Sequence, residues 1–354
     1  MSKNIIIFCD GTGQEGGKGF NTNIYKLFNI IQDRSDRQVA FYDPGLGTNW
    51  RKITGSVGGM GMSRNIQQCY RFIFDHYESG DEIFLFGFSR GAATVRSLSS
   101  FIHYFGILPK SRPELIKKAY KIYKISKKEK RKLKASEFVG RHHTMWAEIK
   151  FLGCYDTVAA LGVPFKSLSA MIDWIPGLKH SFHNYKLSES VSHAYHALAI
   201  DDKRKTFHPV MWDVECLENQ SVRQVWFAGM HTDVGGGYKD QALAGIPLVW
   251  MTDMAVKHGM LVYKKYREIV SKRNMIKENE NGEMHNSRSG LWGWLYRCEP
   301  RSWKEDRVDK PVIHQSVLQR TRNQQNEEQP VYQPWIIKQN YDVEAWVKYE
   351  DQNW

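Results

Sequence analysis

A mainly parallel α/β sheet flanked by helices is the fold class predicted by this sequence of 354 residues. Three observations predict it. Short apolar runs alternate with stretches of helical period from residue 4 to about 260, most of these runs close on polar or glycine-rich loops, and the pentapeptide Gly87-Phe88-Ser89-Arg90-Gly91 stands where one apolar run ends and a small-residue helical run begins. That last setting is the one a nucleophile elbow needs. A serine on a sharp strand-to-helix turn lifts its hydroxyl above the sheet edge, and glycine at the flanking positions lets the turn and helix pack closely.

The elements follow in order. Asn4 to Asp10 reads as a strand that ends in Asp10-Gly11-Thr12-Gly13, and a helix is expected from Asn23 to Gln32. The loop between them lacks the spacing of either phosphate-binding glycine motif, so it is read as a source of backbone donors. A second strand spans Gln38 to Tyr42, and Gly55 to Gly61 is too glycine-rich for regular structure. A helix from Ser63 to Tyr77 carries Ile66, Cys69, Tyr70, Ile73, Phe74 and Tyr77 on one stripe. Glu82 to Phe86 is the elbow strand, and Ala92 to Phe105 continues at helical spacing.

Residues 110 to 147 form a helical, basic insertion. From 110 to 150 the chain holds fourteen Lys and Arg against four Glu, which concentrates most of the overall charge of +12 in one segment. Lys117, Lys118, Lys121, Lys124, Lys127 and Lys128 surround the apolar stripe and are candidates for binding an anionic surface; nucleic acid is the less favoured partner. The strand from Glu148 to Cys154 leads to Asp156. Residues 157 to 220 are read as a cap with one returning element at Ala194 to Ile200. The strand from Arg223 to Gly229 delivers His231 in a loop. Helical spacing resumes from Ile246 to His258, and residues 261 to 354 form a polar, Trp-containing extension with an exposed linker at Gln324 to Gln329, outside a catalytic domain of residues 1 to 260.

Composition narrows the class. Five widely spaced cysteines without a C-x-x-C pair indicate neither a disulfide framework nor a metal site, and no cofactor is implied. The five histidines between residues 180 and 208 lack metal-ligand spacing. No apolar run reaches the ~18 residues of a membrane span, and the N-terminus enters a strand at once, so the protein is expected in the cytoplasm at synthesis.

Acyl transfer by a serine needs a base, an acid to hold that base, and donors for the oxyanion. Ser89, Asp156 and His231 each lie at the carboxyl end of an expected strand, in the chain order Ser, Asp, His of α/β-hydrolases. The backbone N–H of Arg90, with Gly11 or Thr12, would receive the oxyanion. Asp10, His196 and Asp233 rank behind: His196 as an alternative base, Asp233 as an alternative acid. A hydrolase-like module without catalysis, binding anionic partners, is the non-enzymatic alternative.

Several longer motifs carry a resemblance. They are Phe8-Cys9-Asp10-Gly11-Thr12, Thr22-Asn23-Ile24, Gly45-Leu46-Gly47-Thr48, Phe86 to Ala92, Phe151 to Val158, His196 to Asp201 and Trp226 to Tyr238. In these the chain resembles the α/β-hydrolase-domain family that includes the type VI secretion phospholipase effectors. The resemblance implies Ser89 as nucleophile, His231 as base and Asp156 as acid. It also implies cleavage of phospholipid carboxylic esters, with delivery by a contact-dependent secretion system and a secretion or immunity partner as further family expectations. Soluble acyl esters or amides are the alternative substrates. Cys154-Tyr155 stands where the family has Val-Trp, and Thr232 where it has Ser; residues past about 260 match no part of it.

Overall fold

The computed structural model describes residues 2–11, 16–17, 19–31, 35–45, 56–158 (backbone only for 56–60), 187–213, 216–264, 280–286, 288, 297–303, 307–323 and 331–346. Eight strands form one sheet: β1 (Asn4–Cys9), β2 (Gln38–Asp43), β3 (Glu82–Phe88), β4 (Ile149–Tyr155), β5 (Val191–Ala199), β6 (Ser221–Phe227), β7 (Val312–His314) and β8 (Asp342–Glu344), in the order β2-β1-β3-β4-β5-β6-β7-β8. Every neighbouring pair is parallel. The chain runs from β1 outward to β2 and then crosses back to β3. The strand order therefore reverses between β1 and β3, and the crevice at their carboxyl ends is where open α/β sheets place their ligands.

Alternation within the strands divides the core. Ile5, Ile7, Cys9, Ile83 and Leu85 face a layer made by α2 (Ser56–His76), α3 (Arg90–Phe105), α4 (Leu115–Tyr123) and α5 (Lys128–His142). Ile6, Phe8, Phe84 and Phe86 face α1 (Asn23–Ile30) and the long helix Ala242–Lys257. All six residues of β1 are buried, and each apolar side chain so enclosed contributes roughly 1.5–3 kcal/mol of transfer free energy. A third cluster joins Leu198, Ile200 and Trp226 to Ile313, Val317 and Ile336.

Four expectations change. Helix α2 begins at Ser56 instead of Ser63: once the apolar stripe of residues 62–77 has formed a helix, each added N-terminal residue gains a hydrogen bond, which carries the helix through the glycines. The element expected inside a cap is β5, a central strand between β4 and β6. His231 opens a short helix, α6 (His231–Gly235), ahead of α7 (Ala242–Lys257). The residues beyond 260 add β7, β8 and the helix α8 (Gln315–Asn323) to the same sheet and core. The cap residues 159–186 and the linker Gln324–Gln329 lie outside the described residues.

Candidate active site

The site is built on two strand ends in register. Phe88 of β3 pairs with Tyr155 of β4, so Ser89 and Asp156 are the next residues on adjacent strands, and the Ser89 N–H donates to the Tyr155 carbonyl (3.0 Å). Ser89 turns the chain into α3 with φ 56° and ψ -118°. Asp156 has φ 39°. Both are conformations that non-glycine residues avoid, at a cost of about 1–3 kcal/mol each, and they are held by the packing around them.

That packing depends on absent side chains. A Cβ on Gly91 would lie 2.0 Å from the Cys9 carbonyl oxygen, and one on Gly87 would lie 2.5 Å from the Gly91 carbonyl oxygen. Helix α3 therefore crosses β1 at backbone contact. Gly11 lies beside the elbow with more room, since its Cβ would lie 3.2 Å from the Phe88 ring and 3.7 Å from the Ser89 Cβ.

His231 is buried with its Nδ1 2.6 Å from Asp156 Oδ2. Its ring lies between Phe88 (centroids 4.7 Å apart) and Phe207 (5.0 Å). Burial lowers the imidazole pKa, and the hydrogen bond and charge of Asp156 oppose this without overcoming it. Burial pushes the Asp156 carboxyl up, but the charge of Arg301 and the hydrogen bonds from His231 and Arg301 hold it well below the usual carboxylate range. At neutral pH the pair is thus carboxylate and neutral imidazole. Asp156 can only accept, which places the imidazole proton on Nδ1 and leaves Nε2 as the basic nitrogen.

The other anticipated residues fall elsewhere. Asp10 accepts hydrogen bonds from the Gly11 N–H (2.7 Å), the Thr22 hydroxyl (2.6 Å) and the Tyr42 hydroxyl (2.7 Å), and burial raises its pKa to about 6. Thr22 in turn caps α1 by accepting from the Tyr25 N–H. Asp10 thus ties the loop to α1 and β2, and the Gly11 N–H is already engaged. Thr12 lies outside the described residues. Arg90 opens α3, with its backbone N–H at the positive end of that helix.

His196 sits inside the sheet, where its Nε2 accepts from the Thr157 N–H (3.0 Å) and its ring meets Trp212 (5.3 Å). Burial lowers its pKa to about 3. Asp233 points away from His231: it accepts from the Met230 N–H and pairs with His285 Nδ1 (2.7 Å). Cys9, Cys69 and Asp43 bring a possible set of metal donors within 4.8 Å of one another. The Cys69 thiol is 3.4 Å from that of Cys9 and 3.9 Å from the Asp43 carboxylate, a buried chain of weak hydrogen bonds.

The six lysines are exposed on α4, on the turn after it and, for Lys128, at the start of α5. The α4–α5 pair packs along α3: the Tyr123 hydroxyl donates to the Ser97 carbonyl, the Arg131 guanidinium lies over Tyr104, and Phe138 meets Phe105. These contacts lie in the middle and C-terminal part of α3, away from Ser89, so the pair is an outer layer and does not cover the elbow. A cleft of about 330 Å³ lined by His103, Tyr104, Lys132 and Trp146 lies at that same distant end.

Two features at the site were not anticipated from the sequence. Arg301 reaches Asp156 from the C-terminal region, with Nη1 2.7 Å from Oδ1 and Nη2 2.8 Å from Oδ2. Asp202 accepts from the His231 N–H (3.3 Å) and pairs with Arg204 (2.6 Å). Asp202 follows the His196 to Asp201 motif, which marks its neighbourhood; Arg301 stands among charged and aromatic residues of no periodicity.

The family model of the type VI secretion phospholipase effector Tle1-like catalytic domain matches residues 3–254. The chain belongs to this family. An uncharacterized protein of Saccharomyces cerevisiae is 28% identical over 230 residues, covering 58% of this chain and 32% of that protein. Among solved structures, an uncharacterized protein from Pseudomonas aeruginosa is 16% identical with a TM-score of 0.42, covering 74% of this chain and 46% of the other. The Tle1 effector bound to the VgrG spike of the type VI secretion system is 20% identical with a TM-score of 0.37, covering 70% and 53%. The chain thus spans about a third of the curated relative and about half of each solved chain. Ser89, Asp156 and His231 lie inside the Tle1-like match, and Arg301 lies beyond it.

Proposed function

We propose that this Tle1-like domain is a serine hydrolase that cleaves carboxylic ester bonds of phospholipids by a phospholipase A type reaction. The observation that carries the reading is the buried Asp156–His231 pair, 2.6 Å apart, at the same sheet edge as a strained serine elbow. Ser89 Oγ attacks the acyl carbon while His231 Nε2 takes its proton, and Asp156 stabilises the imidazolium that forms. The tetrahedral oxyanion is received by the Arg90 N–H at the start of α3, with a second donor expected from the loop that follows Asp10, where the Gly11 N–H serves the Asp10 carboxylate. Collapse of this intermediate breaks the acyl C–O bond, and the lysophospholipid leaves with the proton from His231. Water, deprotonated by the same imidazole, then hydrolyses the acyl-enzyme.

Fluorophosphonate labelling followed by fatty-acid release from phospholipid vesicles tests the reading. The wild type should label on Ser89 and release fatty acid, and Ser89→Ala should lose both by at least about a thousandfold while staying folded. Full activity in Ser89→Ala would overturn the assignment. Because the imidazole pKa is lowered, the base form persists below the ordinary histidine titration near pH ~6.5. The acid limb of labelling should therefore lie below the ordinary histidine titration; a limb at or above it would show that the imidazole is not held neutral by burial.

The exposed lysines of α4 favour contact with an anionic membrane, each worth about 1 kcal/mol near the surface. Sedimentation with phosphatidylglycerol vesicles should exceed that with phosphatidylcholine vesicles and fall with salt. The position of α4 and α5 away from Ser89 favours a second reading, an esterase for soluble acyl esters. A panel setting p-nitrophenyl butyrate against phospholipid decides between them. The family further implies delivery by a contact-dependent secretion apparatus, and among the described residues no helix is long and apolar enough to cross a membrane.

A further inference from the structure

We propose that Arg301 is a positioning residue for this reaction, a guanidinium fork that locks the Asp156 carboxylate in the one orientation from which it can hold His231. The inference rests on the hydrolase reading above. Four donors converge on the carboxylate. The Ala199 N–H (3.0 Å) and Arg301 Nη1 (2.7 Å) occupy Oδ1, while Arg301 Nη2 (2.8 Å) and His231 Nδ1 (2.6 Å) occupy Oδ2. The same guanidinium donates to the carbonyls of Ala199 and Phe207, so the fork is itself fixed to the ends of β5 and of the segment that packs on the imidazole. The Arg301 side chain is 1% exposed and that of Asp156 is fully buried.

An ion pair this deep is a costly way to gain stability, because both charges lose their hydration. What the bidentate fork adds is geometry, since two parallel N–H···O bonds remove the rotation of the carboxylate that a single partner leaves free. It also sets the charge. Asp156 alone would face the imidazole as a full negative charge; paired with Arg301 it faces it as half of a neutral couple.

Among the described residues, the other charges that act on His231 are Asp202, which accepts its backbone N–H, and Arg204, which pairs with Asp202. That couple is also closed on itself. Burial is the largest influence on the imidazole, and the Asp156 charge that opposes it is neutralised by a guanidinium the chain supplies from beyond the Tle1-like match.

The test is the rate of fluorophosphonate labelling of the full chain across roughly pH 5 to 9 for wild type, Arg301→Lys and Arg301→Gln. Arg301→Lys keeps the charge and loses the fork: labelling should slow about tenfold with the acid limb unmoved. Arg301→Gln also removes the charge, so the imidazole becomes more basic and the acid limb should move up by about one pH unit. Equal slowing of both variants with no movement of the limb would reduce Arg301 to a structural residue and overturn the proposal, as would wild-type behaviour in either. Should Arg301→Gln not fold, Arg301→Lys decides by its rate and its denaturant midpoint together: slowing at an unchanged midpoint supports the fork, and a wild-type rate, or slowing that accompanies lost stability, overturns it. A wild type that does not label defeats the hydrolase reading itself, which is a different result from variants that label like the wild type.

Discussion

Ser89 occupies a backbone conformation, φ 56° and ψ -118°, that glycine adopts without penalty and serine does not. Ser89→Gly should therefore raise stability while removing the nucleophile. The relief of about 1–3 kcal/mol exceeds the glycine entropy cost of about 0.5–1 kcal/mol, so denaturant unfolding should show a net gain of about 1 kcal/mol; a loss would mean that the hydroxyl, not the turn, is what the fold needs. Ser89, Asp156 and His231 were legible in the sequence because each follows an apolar strand run that marks a sheet edge. Their pairing was not. Asp233, two residues from His231, ranks behind Asp156 on sequence grounds; the turn of α6 directs it to His285, and the tertiary register of β3 and β4 brings Asp156 beside the elbow. Arg301 could not be read at all, since nothing local distinguishes a guanidinium bound for the core from one bound for solvent.

At the scale of elements, the crossing of α3 over β1 is set by Gly91, whose missing side chain admits the Cys9 carbonyl. Gly91→Ala should cost about 3 kcal/mol or more, because the contact is with backbone and neither element can retreat from a shared core. Gly140→Ala is the matched control: it lies in α5 with no atom within 4 Å of the added Cβ, so helix propensity alone should stabilise by about 1 kcal/mol. Thermal melts of the two variants moving in opposite directions would separate the crossing from a general glycine effect. The strands that could be read, β1 to β4 and β6, have six or seven residues and show alternation or apolar runs, whereas β5 is legible only as an element returning within a cap. β7 and β8 have three residues each, too few for a period to appear, and they are strands because they extend an existing edge.

For the whole molecule, buried histidines set the response to acid. Burial lowers both His196 and His314 to about 3, so the unfolded chain binds protons at these positions from about pH 6.5 downward while the folded chain does not. Stability is complete above pH ~6.5 and falls below it, by roughly 2 kcal/mol per residue on reaching pH ~5. Denaturant unfolding of His314→Gln against wild type at the two pH values measures one such contribution: the variant should lose about 2 kcal/mol less between them, and an unchanged slope would show that His314 titrates normally in the fold.

The ion pair between Asp156 and Arg301 spans 145 residues of chain, and the strands that complete the sheet edge come later still. Translation adds about 5–20 residues per second, so the carboxylate leaves the ribosome roughly 7 to 30 s before its guanidinium partner exists. Until then the elbow and the imidazole are present on an unfinished sheet, beside a charge with no counterpart to bury it against. The order of synthesis thus delays closure of the reactive centre until a C-terminal region outside the catalytic-domain match has been made.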